Sequence, residues 1–158
     1  MKMRRLSARR RAQCGAAAIE LGLLFLPMAA VTFGTTELGR AFHQYNTVAK
    51  NVRDGARYLA TQTPGSTLAG RCLALSGSSA TNAGACSNAP LLPGLTLAQI
   101  TVCDATNCPA DHQFQPTGSG VVNLVTVTVT GYTFTSMVPF VVPDIVFGPV
   151  SATMVQPI

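Results

Sequence analysis

Between Gly15 and Thr36 the chain carries one charged side chain, Glu20, in an otherwise uncharged run, GAAAIELGLLFLPMAAVTFGTT. At about 1.5 Å per residue, a helix over this stretch reaches across a hydrocarbon core about 30 Å thick. The run therefore predicts a transmembrane helix over residues 16–36. Lys2, Arg4, Arg5, Arg9, Arg10 and Arg11 precede it with no acid among them, while the twenty residues after it hold only Arg40, Lys50 and Arg53. That asymmetry makes residues 1–15 a basic cytoplasmic leader and places the remainder outside.

The charge pattern also excludes a class of partner. Net charge is +5 over 158 residues, yet beyond residue 14 five basic side chains face six acids and the balance is −1. A pI near 9.3 thus reports a terminal tag and not a basic surface, which argues against nucleic-acid binding. Charge-driven disorder is excluded as well, because 47% of residues are hydrophobic and 11% charged.

Glu20 is the anomaly within the span. A carboxylate at membrane depth costs about 2.5–3.5 kcal/mol on insertion scales and is a functional candidate by default. The bland alternative seats it at headgroup level. A cleaved secretory signal peptide accounts for the basic start and the apolar core, but gives no reason for Glu20. Pro27 is tolerable in a membrane helix and is expected to bend it.

After the span the helix is expected to continue. Leu38, Phe42, Tyr45, Ala49, Val52, Ala56 and Leu59 form an apolar seam of mean period 3.5, with Glu37, Arg40, Gln44, Lys50, Arg53, Asp54 and Arg57 off it. Pro64-Gly65 supplies a stop. Span and amphipathic half (37–63) make one helix over about 16–62, roughly 70 Å long. The rest, 64–158, reads as a small head. Residues 65–95 are loop with a helical turn near Leu73. Strand patterns occupy 96–103, 121–135 and 149–156, the second with Val125, Val127 and Val129 on one face and Thr126, Thr128 and Thr130 on the other. Pro139, Pro143 and Pro149 confine the intervening segment to a loop. The expected class is α+β, a long N-terminal helix packed on a small antiparallel sheet.

Cys72, Cys86, Cys103 and Cys108 all follow the span, and Cys14 precedes it without a partner. An even number in an exported, loop-rich head argues for two disulfides. Of three possible pairings, proximity favours Cys72–Cys86 and Cys103–Cys108. A metal reading would use Cys103, Cys108, Asp111 and His112, but it lacks paired CxxC spacing. No GxSxG, HExxH or phosphate-cradling glycine loop is present. His43, on a polar flank of the helix, and His112, in a loop beside Asp111, read as solvated side chains. No catalytic activity and no cofactor is expected.

Gly15-Ala16-Ala17-Ala18-Ile19-Glu20-Leu21 after a basic tail resembles the type IV prepilin processing site, where a glycine precedes the cut and glutamate is the fifth mature residue. The continuation is similar to the TadE-like family of tight-adherence (Flp, type IVb) pilus proteins. Phe33-Gly34, Glu37-Leu38-Gly39-Arg40-Ala41-Phe42 and Arg53-Asp54-Gly55-Ala56-Arg57-Tyr58 carry the likeness over about 9–63, and 121–156 follow it loosely. The resemblance implies a pilin-like fold and a minor pseudopilin of the bacterial inner membrane, with its head in the periplasm. It implies cleavage by a prepilin peptidase between Gly15 and Ala16, and Glu20 as the docking residue for other pilus subunits. Inner-membrane pilus assembly proteins and the lipid bilayer are its other implied partners. Leu21 departs from the family, which more often has an aromatic residue there. An unprocessed TadG-like inner-membrane adaptor with a periplasmic interaction domain is the second reading, and a secreted disulfide-stapled domain the third.

Overall fold

The computed structural model describes the backbone of residues 3–156 and the side chains of residues 15–156. The basic leader side chains and Cys14 lie outside the described residues. Helix α1 runs unbroken over Met3–Leu59 with Pro27 inside it. Three of its threonines bond their hydroxyls back to carbonyls of the same helix. Thr32 Oγ1 donates to the Met28 carbonyl over 2.8 Å, Thr36 Oγ1 to the Thr32 carbonyl over 2.8 Å, and Thr35 Oγ1 to the same carbonyl over 3.0 Å. The far end is capped from a distance: the buried Gln156 donates through Nε2 to the carbonyls of Leu59 and Gln62, both over 3.1 Å.

Beyond α1 come helix α2 (Leu68–Ser76), a two-residue hairpin of β1 (Thr81–Asn82) and β2 (Ala85–Cys86), a 3₁₀ turn (Leu97–Gln99), β3 (Ile100–Cys103), the one-turn α3 (Pro109–His112), β4 (Gln115–Pro116), β5 (Val121–Val129), β6 (Thr133–Phe134), β7 (Ile145–Val146) and β8 (Val150–Gln156). β5 is the spine of the antiparallel sheet. β3 pairs with it from Ile100 opposite Val129 to Cys103 opposite Thr126, and β8 from Asn123 opposite Gln156 to Val129 opposite Val150. β4 pairs with its first residues, and β6 with β7. The fold is α+β, a long N-terminal apolar helix followed by a small antiparallel sheet.

The chain resolves into two compact units. One holds the described residues up to Arg40 together with Ser136–Pro143; the other holds Ala41–Thr135 and the residues from Asp144 on. The core of the second unit is built from Val48, Val52, Ala56 and Leu59 of α1, Ala74 and Leu75 of α2, Ile100, and the inward row Val125, Val127 and Val129 of β5. α1 and α2 cross with almost no clearance. A Cβ on Gly70 would sit 2.3 Å from Leu59 Cγ, and one on Gly55 would sit 2.9 Å from the Gly70 carbonyl oxygen. Asp104, fully buried, ties the loop after α1 to the end of β3. Its carboxylate accepts the N–H of Gly65 over 2.7 Å, of Thr106 over 2.9 Å and of Asn107 over 3.1 Å.

Several expectations are corrected. The helix seam holds only in its second half: Phe42 is 67% exposed and Leu38 and Tyr45 are exposed too, while Glu37, Ala41 and Val48 are buried. The buried positions here each lie one residue before an apolar seam position, and Glu37 turns inward where its carboxylate finds donors. The 96–103 strand begins only at Ile100. The Gln99 N–H donates to the Thr96 carbonyl over 3.1 Å and closes a 3₁₀ turn instead, while Gln99 Oε1 caps its start by accepting the Thr96 N–H over 2.8 Å. The 121–135 strand breaks after Val129, where Gly131 adopts φ +68°. The turn near Leu73 is the nine-residue helix α2.

Candidate functional site

The first unit presents the apolar helix. Ile19, Leu21, Leu23, Leu24, Phe25 and Leu26 are all exposed, and α1 from Gly15 is long and apolar enough to span a membrane, with a mean hydropathy of 1.9 in its most apolar window. Gly15, Ala16 and Glu20 lie on this exposed helix, and among the described residues no side chain packs against Gly15. Ala16 and Glu20 are four residues apart and so share a face one turn apart.

At the end of the apolar run, Glu37 is only 4% exposed. Its Oε1 accepts from Arg40 Nη1 over 2.6 Å, and its Oε2 accepts from the Ser136 hydroxyl over 3.0 Å and the Met137 N–H over 3.1 Å. Burial disfavours the charged carboxylate, but the hydrogen bonds from Arg40, Met137 and Ser136, with the guanidinium charge, outweigh it and hold the Glu37 carboxyl below its ordinary value. The loop that Glu37 fastens, Ser136–Pro143, folds against the helix. Val141 Cγ1 would stand 3.5 Å from a Cβ on Gly34, and Phe140 and Val141 close a groove of about 550 Å³ with Leu26, Ala29, Ala30 and Phe33.

In the second unit Cys72 is bonded to Cys86 and Cys103 to Cys108. With their sulfurs joined, Cys103 and Cys108 offer no thiolates, so the four-residue metal reading with Asp111 and His112 fails. Among the described residues no other group of three potential metal ligands occurs. His43 is exposed, but His112 is half-buried and its Nε2 lies 2.9 Å from Thr126 Oγ1, a packed position and not a solvated one. Tyr132 is buried too. Its hydroxyl donates to Gln44 Oε1 over 2.8 Å, and burial raises its phenolic pKa.

Pattern alone does not single out Glu37 with Ser136 and Met137, since a charge just past an apolar run reads as solvated. The signal that could have found the loop is the seven-residue MVPFVVP between Ser136 and Asp144, which has no polar side chain.

The chain is thus an α+β protein with a disulfide-bonded head and one exposed helix long and apolar enough to cross a membrane. Residues 15–57 match the family described as TadE-like protein. No curated protein and no solved structure matches the chain.

Proposed function

We propose that the chain is a minor pseudopilin of a bacterial tight-adherence (Flp) pilus system, acting by helix packing and without chemistry. The observation that carries this reading is an overlap. The match to the TadE-like family, over residues 15–57, takes in both the prepilin-like motif Gly15–Leu21 and the uncharged run that continues to Thr36. In this reading residues 16–36 cross the inner membrane once, with the leader cytoplasmic and the head periplasmic. A prepilin peptidase cuts after Gly15, and Ala16 gains a positive α-amino group. Glu20, costly in lipid while alone, meets the corresponding amine of a neighbouring subunit, and the small residues Ala16, Ala17, Ala18 and Gly22 permit close helix approach.

The alternative, an unprocessed membrane adaptor of the pilus machine, is favoured by Leu21 in place of an aromatic residue. Intact mass of protein extracted from membranes of cells with an active prepilin peptidase separates the readings. Loss of residues 1–15 is expected for the pseudopilin, and full length for the adaptor. Loss of the whole apolar span leaves a secreted domain.

A further inference from the structure

The geometry points to a second membrane-inserted element: the loop Ser136–Pro143 dips into the bilayer beside its own helix, with Phe140 and Val141 in the acyl region. This rests on the reading that residues 16–36 span a membrane. Glu37 pins the start of the loop near the end of the span. The chain then turns back along α1, so that Phe140 and Val141 share their groove with Leu26, Ala29, Ala30 and Phe33. Those helix residues lie one to three turns inside the apolar run. Whatever surrounds them also surrounds the loop, because all belong to one compact unit.

Composition and backbone bonding both suit lipid. From Met137 to Pro143 no side chain is polar, and Phe140 is 88% and Met137 76% exposed. In water this would be an unusual surface; a contiguous exposed apolar patch beside an apolar span marks a membrane contact. A non-helical segment at membrane depth must also satisfy its N–H groups without water. Pro139 and Pro143 have none. Met137 donates to Glu37, Val138 to Ser136 Oγ over 3.1 Å, and Val141 and Val142 to the Val138 carbonyl over 2.9 and 3.0 Å. Four of the five N–H groups over 137–143 are thereby bonded within the unit. The bilayer is favoured over a partner helix as occupant of the groove because the groove is continuous with the lipid-facing span.

The chain contains no tryptophan, so Phe25→Trp, Phe140→Trp and Phe114→Trp each carry a single fluorophore. All three positions are more than half exposed, so the wider ring displaces no core. Full-length protein is reconstituted into vesicles of phosphatidylethanolamine with a minor fraction of phosphatidylglycerol, with and without brominated acyl chains. Quenching by brominated lipid several-fold stronger for Phe140→Trp than for Phe114→Trp, comparable with Phe25→Trp, and protection from aqueous iodide, are expected. If Phe25→Trp is quenched by lipid while Phe140→Trp responds only to iodide, the loop lies in water and the proposal is overturned with the span intact. Protection of Phe140→Trp from both quenchers, lost on dilution of protein in lipid, overturns it in favour of a second copy on the groove. Failure of lipid to quench Phe25→Trp overturns the spanning reading itself, and the loop proposal with it.

Discussion

The Ser136 hydroxyl donates to Glu37 Oε2 over 3.0 Å, joining positions 99 apart in the chain. Arg40 takes the other oxygen and the Met137 N–H shares the first, so a carboxylate at the edge of an apolar surface is buried with every donor it needs. A charged group here is a fastening for the loop and not a solvated end of the span.

That fastening should respond to pH. The Glu37 carboxyl is held below its ordinary value. Its contribution is therefore complete above that value and disappears as pH falls through the lower folded one. Amide exchange over 136–143 in detergent-solubilised full-length protein, corrected for intrinsic rates, should accelerate on acidification below the ordinary carboxylate range. Glu37→Gln should exchange faster already at neutral pH and lose the acid-induced step. Equal protection in both proteins across the range would show that the apolar contacts alone hold the loop.

The α1–α2 crossing makes a prediction about the second unit. Leu59 is fully buried, so it has no room to retreat from a Cβ on Gly70. Gly70→Ala should destabilise the head by about 1–3 kcal/mol through overpacking. Reversible denaturation of the full-length protein in detergent, followed by circular dichroism, measures it. Unchanged stability would mean that α2 can slide away from α1.

How much of this was legible in sequence depends on where the signal lies. Val125, Val127 and Val129 alternate with threonines, and that period alone sets the inward face of β5. The apolar run from Gly15 carries its own length and composition. On α1 the buried Glu37 and Ala41 lie one position before the apolar but exposed Leu38 and Phe42. Apolar character does not reveal that a carboxylate has three donors waiting, two of them supplied from residues 136 and 137. Likewise Asp104 counts in composition only as an acid, because its three N–H donors come from local turns and from Gly65, far back in the chain. Partners fixed by tertiary structure leave no periodic trace.

The two disulfides should differ in weight. Cys72–Cys86 closes a separation of 14 residues and Cys103–Cys108 one of 5. In the chain-entropy account the longer loop contributes about 3 kcal/mol and the shorter about 2. Replacing both cysteines of a pair with serine should therefore lower the denaturation midpoint more for Cys72 and Cys86, the more so because Cys72 is buried. Non-reducing peptide mapping of the wild type supplies the connectivity. Free thiols at all four positions in exported protein would contradict this account.

The pseudopilin proposal turns on Glu20. It is the single charge between Gly15 and Thr36 and lies exposed on α1, one turn beyond Ala16. An unpaired carboxylate in lipid is costly, so its energy falls when it meets an opposite charge, and an α-amino group at Ala16 of a neighbouring, processed subunit supplies one. The pair forms only between helices in register, which converts an insertion penalty into specificity. Glu20→Gln keeps the shape and removes the charge. Membrane insertion should be unchanged or improved, and removal of residues 1–15 should persist if Glu20 serves docking alone. Crosslinking to other pilus subunits and surface piliation should both fall. The measurement is co-purification of the variant with the major pilin and minor subunits from membranes, alongside intact mass to score processing. Normal association and piliation in the Glu20→Gln strain would leave the carboxylate a headgroup-level residue and remove it from the assembly mechanism.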